Sequence, residues 1–149
     1  MENYIFASNK NWNKVYFESL QKNSDQNWLY VSNPSELKIS LVKKPRYIFF
    51  LHWSWKVEKN IYQNYECVCF HMTDLPFGRG GTPLQNLILL GFKKTKLTAF
   101  KMQSGMDEGP IYAKRDLSLS GRAQNIYLRA GKVSTNIINW IIKNNPIPK

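Results

Sequence analysis

The sequence is poor in cysteine, histidine and acid, and each shortage narrows what it can be. Its 149 residues include 2 Cys, Cys67 and Cys69. Two positions apart on a strand, their Cα atoms would lie about 6.5 to 7 Å from each other, which argues against a disulfide. No apolar run approaches the ~18 residues of a membrane span, and the polar start Met1-Glu2-Asn3 lacks a signal-peptide layout. Neither membrane insertion nor export is expected, and the chain is placed in the cytoplasm. There is no P-loop, no HExxH, no GxSxG, and no GxGxxG after the first strand, so the corresponding phosphate, zincin, hydrolase and dinucleotide chemistries lose their main support. Cys67, Cys69 and His71 alternate onto one strand face, yet the first and last would be about 13 to 14 Å apart, too far to share a zinc. No metal is expected. The 10 acidic residues stand against 21 basic ones, a formal charge of +11. Such an excess implies an anionic partner, either nucleic acid, a nucleotide or a polyglutamylated cofactor, unless it is a solvated lysine surface.

What is abundant is apolar and aromatic matter: 43% hydrophobic and 14% aromatic residues. That is enough for a buried core, and the length fits one domain, 1–149. Tyr4 to Ala7 and Trp28 to Val31 read as short strands. Between them Trp12, Val15, Tyr16 and Leu20 share one helix face. Asn33-Pro34-Ser35-Glu36 supplies an N-cap, a first-turn proline and a capping-box glutamate. Tyr47 to Leu51 is a continuous apolar run, the pattern of a strand buried on both faces of a mostly parallel sheet. Cys67 to Phe70 reads likewise and delivers His71 at its C-terminal end, where ligands bind in open α/β sheets. Thr82-Pro83-Leu84-Gln85 opens another helix with Leu84, Leu87 and Ile88 buried, stopped by Gly91. Leu97 to Met102 and Ile111 to Leu119 are extended, with a glycine-containing loop between them. Ala123 to Ile141 is a long amphipathic helix. The pattern predicts an α/β three-layer sandwich with a mostly parallel central sheet.

The chemistry-bearing residues gather at His71 and in the two loops near it. The run from His71 to Gln85, HMTDLPFGRGGTPLQ, resembles the signature of the formyltransferase family: H-x-S/T-x-L-P, then R-G, then P-x-Q. Gly91, Thr98, Met102 and Met106-Asp107-Glu108-Gly109-Pro110 fall where that family has its glycine-ended helix, next strand and aspartate-glycine loop. The similarity covers roughly Ile48 to Leu119 and implies the Rossmann-related formyltransferase fold. Within the family, His52-Trp53-Ser54 and the wording around His71 most resemble the sugar N-formyltransferases of pseudaminic-type nonulosonic acid biosynthesis.

That resemblance implies transfer of formyl from N10-formyltetrahydrofolate to the amine of a nucleotide-linked amino sugar, without metal. Such chemistry needs a neutral nucleophilic nitrogen, a stabilised oxyanion and proton transfers, tasks that suit a histidine. By resemblance His71 is the general acid/base and oxyanion partner, and Asp107 orients and stabilises it; outside the motif Asp107 would read as a turn residue. Trp53, Ser54, Met102, Gly105 and Met106 are the positions implied for the folate donor. His52, Thr73, Arg79, Gly80 and Gly81 are those implied for the acceptor. Residue by residue, Arg79 serves equally as a phosphate contact or a salt bridge, and core packing is the simpler reading for at least one of Trp53 and Trp55.

Two departures stand out. Cys69 occupies the family's asparagine position, and a thiol is a weak donor facing an oxyanion. Losing one such donor typically costs ~2.7 to 4 kcal/mol. Thr73, His52 and a loop amide are the candidate replacements, and Cys69 itself reads more simply as a small core residue. The chain also lacks the C-terminal domain of the initiator-tRNA enzyme, which disfavours tRNA and nucleic acid generally. Its Pro146-Ile147-Pro148 ending looks like a chain that continues in its relatives, leaving part of the acceptor site outside it. The alternatives are another amine acceptor, such as an aminoacyl group, or a domain that binds folate or nucleotide without turnover. A homodimer through the C-terminal helix is compatible with its apolar surface.

Overall fold

The computed structural model describes residues 1–80 and 83–149. The strands run in the order β2-β1-β3-β4-β5-β6, a mostly parallel sheet of the expected α/β class. The chain divides into two compact units, Met1–Cys69 and Phe70–Lys149.

In the first unit, β1 (Asn3–Ala7) pairs in parallel with β2 (Asn27–Val31), Ile5 opposite Leu29, and with β3 (Tyr47–Phe50), Ile5 opposite Ile48. β4 (Cys67–His71) extends the parallel ladder, with Phe50 opposite Cys69. Every residue of β3 is buried, as its uninterrupted apolar run predicts. Aromatics fill the space around the sheet: Phe6, Phe17 and Tyr30 lie with ring centroids 5.3 to 5.9 Å apart. Tyr4, Trp28 and Phe49 form a second cluster. Fully burying such a side chain contributes about 1.5 to 3 kcal/mol.

The helix after β1 differs from the expected face. A 3₁₀ turn at Asn11–Asn13 precedes α1 (Lys14–Lys22), and the buried positions are Asn13, Phe17 and Leu20, while Val15 is 56% exposed. Asn13, Phe17 and Leu20 are spaced i, i+4, i+7 and form the buried stripe, which leaves Val15 on the exposed side. α2 (Pro34–Ser40) is capped as its sequence predicts: Asn33 Oδ1 accepts from the Glu36 amide at 2.9 Å. Glu36 reaches back one residue further than a standard capping box and accepts from the Ser32 amide at 2.8 Å. α3 (Lys59–Asn64) buries only Ile61, too little periodicity to read beforehand.

In the second unit, β5 (Lys94–Lys101) and β6 (Ile111–Ser118) pair antiparallel, with an irregularity at Ala99/Phe100. A Cβ at Gly109 would lie 1.5 Å from the Lys101 carbonyl oxygen, so only glycine lets the loop between these strands close. α4 (Pro83–Leu89) buries Leu84 and Leu87, but Ile88 is 46% exposed rather than buried. Gly91, at φ 83°, adopts the left-handed conformation that ends the helix. α5 (Ala123–Asn144) buries Ile126, Ala130, Ile137, Ile138 and Ile141. The Ser134 hydroxyl is buried on it and donates to the Ala130 carbonyl at 2.8 Å.

Candidate active site

His71 is the last residue of β4 and only 8% exposed. Its Nε2 lies 2.7 Å from the carbonyl oxygen of Gly78, and its Nδ1 lies 3.7 Å from Asp107 Oδ2. The Gly80 amide donates to the same Asp107 oxygen at 3.0 Å. One short glycine loop is thus fastened to both members of the pair. Gly78 and Gly80 have φ values of 73° and 119°, a region that side chains strongly disfavour. A Cβ on Gly78 would come within 2.5 Å of Thr73 Cγ2, so the turn is folded directly against Thr73.

Thr73 is fully buried, and its Oγ1 has no hydrogen-bond partner among the described residues. Its carbonyl accepts from the Thr98 hydroxyl at 2.6 Å, which ties the segment after His71 to β5. Arg79 is paired with Glu108 at 3.3 Å, both half-exposed. This contact favours the salt-bridge reading of Arg79. Gly105 makes room for the same glutamate: a Cβ there would lie 1.9 Å from Glu108 Oε2. Met102 is half-buried and Met106 is 72% exposed. The position implied for Gly81 falls outside the described residues.

The first unit holds the remaining predicted residues. His52, at φ 56°, follows β3 and receives the side-chain amide of Asn13 on its Nδ1 at 3.2 Å. The same amide donates to the Ser8 hydroxyl at 3.1 Å and toward the Leu51 carbonyl at 3.4 Å. Burial, aided by the Lys10 charge, lowers the His52 pKa to about 4. Ser54 is held by Asn9, whose Oδ1 accepts from the Ser54 amide at 3.1 Å and whose Nδ2 donates to its hydroxyl at 2.8 Å. Trp53 packs edge-on against both Phe50 and Trp55, at 5.7 and 5.0 Å. Cys69 is half-buried and Cys67 buried on β4, and neither is in a disulfide.

Backbone conformation singles out two of these positions. The positive-φ residues other than glycine include Lys44, His52, Asp107 and Asn145. Lys44 and Asn145 terminate helical segments, where that conformation is routine. His52 and Asp107 end no helix. Holding a side chain there costs on the order of 1 to 3 kcal/mol and is concentrated at functional sites. Two clefts lie elsewhere. One of about 590 Å³ is bordered by Leu41, Lys44, Asn60 and Asn64, and one of about 380 Å³ by Phe77, Phe92, Lys94 and Asp116. Neither includes a predicted site residue. Among the described residues, no group of three or more His, Cys, Asp or Glu could hold a metal ion.

No protein-family model matches the chain. The methionyl-tRNA formyltransferase of Rickettsia prowazekii is 37% identical over 100 residues, which are 62% of this chain and 33% of that protein. The solved methionyl-tRNA formyltransferase from Clostridium thermocellum superposes on the whole chain with a TM-score of 0.95 and 45% identity, and 68% of that structure is covered. The chain belongs to the formyltransferase family. HypX from Aquifex aeolicus, in complex with tetrahydrofolic acid, shares the fold at TM-score 0.77 and 19% identity, covering 99% of this chain and 28% of that one. The segment this formyltransferase-family chain shares with the Rickettsia protein spans a third of that relative's length, 33%. The Rickettsia and Clostridium proteins are named for methionyl-tRNA rather than for a nucleotide-linked sugar.

Sequence reasoning missed the anchors Asn9 and Asn13. Each lies 39 to 45 positions from the residue it holds, and a lone asparagine in a polar loop carries no pattern. It also missed Glu108, visible only as the neighbour of Asp107.

Proposed function

We propose that this chain transfers a formyl group from N10-formyltetrahydrofolate to a primary amine, with His71 as general acid/base and oxyanion partner and Asp107 stabilising its protonated form. The observation that carries the reading is the buried His71, held between the Asp107 carboxylate and the Gly78 carbonyl in a chain of this family. A proton-transfer group must be positioned before its pKa matters.

The donor's pterin and benzoyl rings call for aromatic and soft apolar surface. The partly exposed indoles of Trp53 and Trp55 and the exposed thioether of Met106 fit that need. Trp53, Ser54, Met102, Gly105 and Met106 would hold the donor, which supplies an activated formyl carbonyl when bound. Cys69 is a poor oxyanion donor. Of the replacements, the Gly80 amide is engaged by Asp107, and Thr73 has an uncommitted hydroxyl among the described residues.

For the acceptor we take the amine of a nucleotide-linked amino sugar, on the wording of His52-Trp53-Ser54 and of the run from Cys69 to Gly81. His52, Thr73, Arg79, Gly80 and Gly81 are its proposed contacts, and the cytoplasm its location. The names of the relatives favour a second reading, an aminoacyl-tRNA. Both acceptors are polyanions that suit a formal charge of +11. No helix among the described residues is long and apolar enough to cross a membrane. Incubating the chain with N10-formyltetrahydrofolate and either a nucleotide-linked amino sugar or methionyl-tRNA tests the proposal. It predicts one formyl mass added to the sugar. Formylation of the tRNA alone overturns the acceptor assignment, and formylation of neither overturns the activity.

A further inference from the structure

The two ring nitrogens of His71 face groups of the same kind, and this fixes where its protons sit. Nε2 lies 2.7 Å from the Gly78 carbonyl oxygen, which can only accept. A bond of that length therefore requires Nε2 to carry hydrogen. In the neutral ring the lone pair then belongs to Nδ1, which lies 3.7 Å from the Asp107 carboxylate, again an acceptor. Two acceptors that face one another at this distance repel until a donor enters between them or a proton settles on the nitrogen.

The geometry points to Gly78 as a positioning residue: its carbonyl holds His71 as the Nε2–H tautomer, so that Nδ1 is the nitrogen that takes up a proton. The charged ring is then bracketed by a carbonyl on one side and a carboxylate on the other. The closure of the loop reinforces the arrangement, because the Gly80 amide donates to the same carboxylate oxygen and Arg79 is paired with Glu108. The catalytic meaning rests on the formyl-transfer reading. In it the lone pair of the acceptor amine would bond to the formyl carbon while the C=O π pair moves onto the formyl oxygen; the amine N–H bond breaks, its electron pair stays on nitrogen and Nδ1–H forms. Return of the oxygen pair to C=O would break the bond to the donor N10, which leaves with the proton that Nδ1 gives back. The tautomer itself does not depend on that reading.

The protein has 2 histidines, which makes the test direct. Long-range ¹H–¹⁵N correlation spectra of the ¹⁵N-labelled chain at mildly alkaline pH distinguish a protonated ring nitrogen from a bare one. A His52→Gln variant assigns the remaining ring to His71. The expected result is a His71 ring with Nε2 at the protonated position and Nδ1 at the bare one, a pattern that Asp107→Ala retains because Gly78 sets it. A ring protonated at Nδ1, or an average of the two forms, overturns the assignment. Reversal in Asp107→Ala also overturns it, since the carboxylate would then be in control. A chain with the expected ring that transfers no formyl group would instead defeat the functional reading and leave the tautomer standing.

Discussion

The Gly80 amide donates to Asp107 Oδ2 at 3.0 Å, on the same oxygen that lies 3.7 Å from His71 Nδ1. The carboxylate is therefore held by the loop that covers the histidine. Asp107→Asn keeps the shape but removes the charge that compensates a protonated ring. Formyl transfer is expected to fall about 10²-fold or more, while the denaturation midpoint moves little. Steady-state rates and urea melts of the same preparation check both halves.

His71→Ala removes the proton-transfer group itself and is expected to lower kcat/KM by about 10² to 10⁴. Far-ultraviolet circular dichroism should remain that of the wild type. Unchanged turnover by a folded variant would contradict the assigned role.

Gly78→Ala places a Cβ 2.5 Å from Thr73 Cγ2 at φ 73°. Destabilisation of about 1 to 3 kcal/mol is expected. Thr73→Ser removes that methyl group, so the double variant should recover part of the loss. Simple additivity in the double-mutant cycle would show that the two residues do not meet.

His52 supplies a pH dependence with a definite sign. Its pKa is lowered to about 4 by burial, against 6.5 in an unfolded chain. Between these values the unfolded state binds the extra proton, so stability is complete above pH 6.5 and declines as the pH falls toward 4. At pH 5 the loss from this group is about 2 kcal/mol. Urea unfolding at pH 7 and pH 5 measures it, and His52→Gln should abolish most of the difference.

Much of the fold was legible because the sheet interior leaves a mark on the sequence. Tyr47 to Phe50 is an apolar run because both faces are covered, and Asn33-Pro34-Ser35-Glu36 reads as a helix start because each residue meets a separate backbone requirement. The face of α1 was misread because its buried stripe begins at a polar residue, Asn13, which is buried to hold His52 and so carries no apolar mark. At the site, the pairing of His71 with Asp107 was readable only through the family signature, since one ends β4 and the other lies in the loop after β5, with no periodicity to join them. The role of the Gly78 carbonyl leaves no trace at all. Every residue carries that group, and only the path of the chain decides which one reaches the imidazole.

The central claim is that this chain binds a folate formyl donor in order to use it. Calorimetric titration of the full chain with 5-formyltetrahydrofolate tests this most directly, because it needs no knowledge of the acceptor. Saturable one-to-one binding, weakened by replacing Trp53 or Met106 with alanine, is the predicted result. Absence of binding to folded protein would contradict the account and leave the family fold without its donor site.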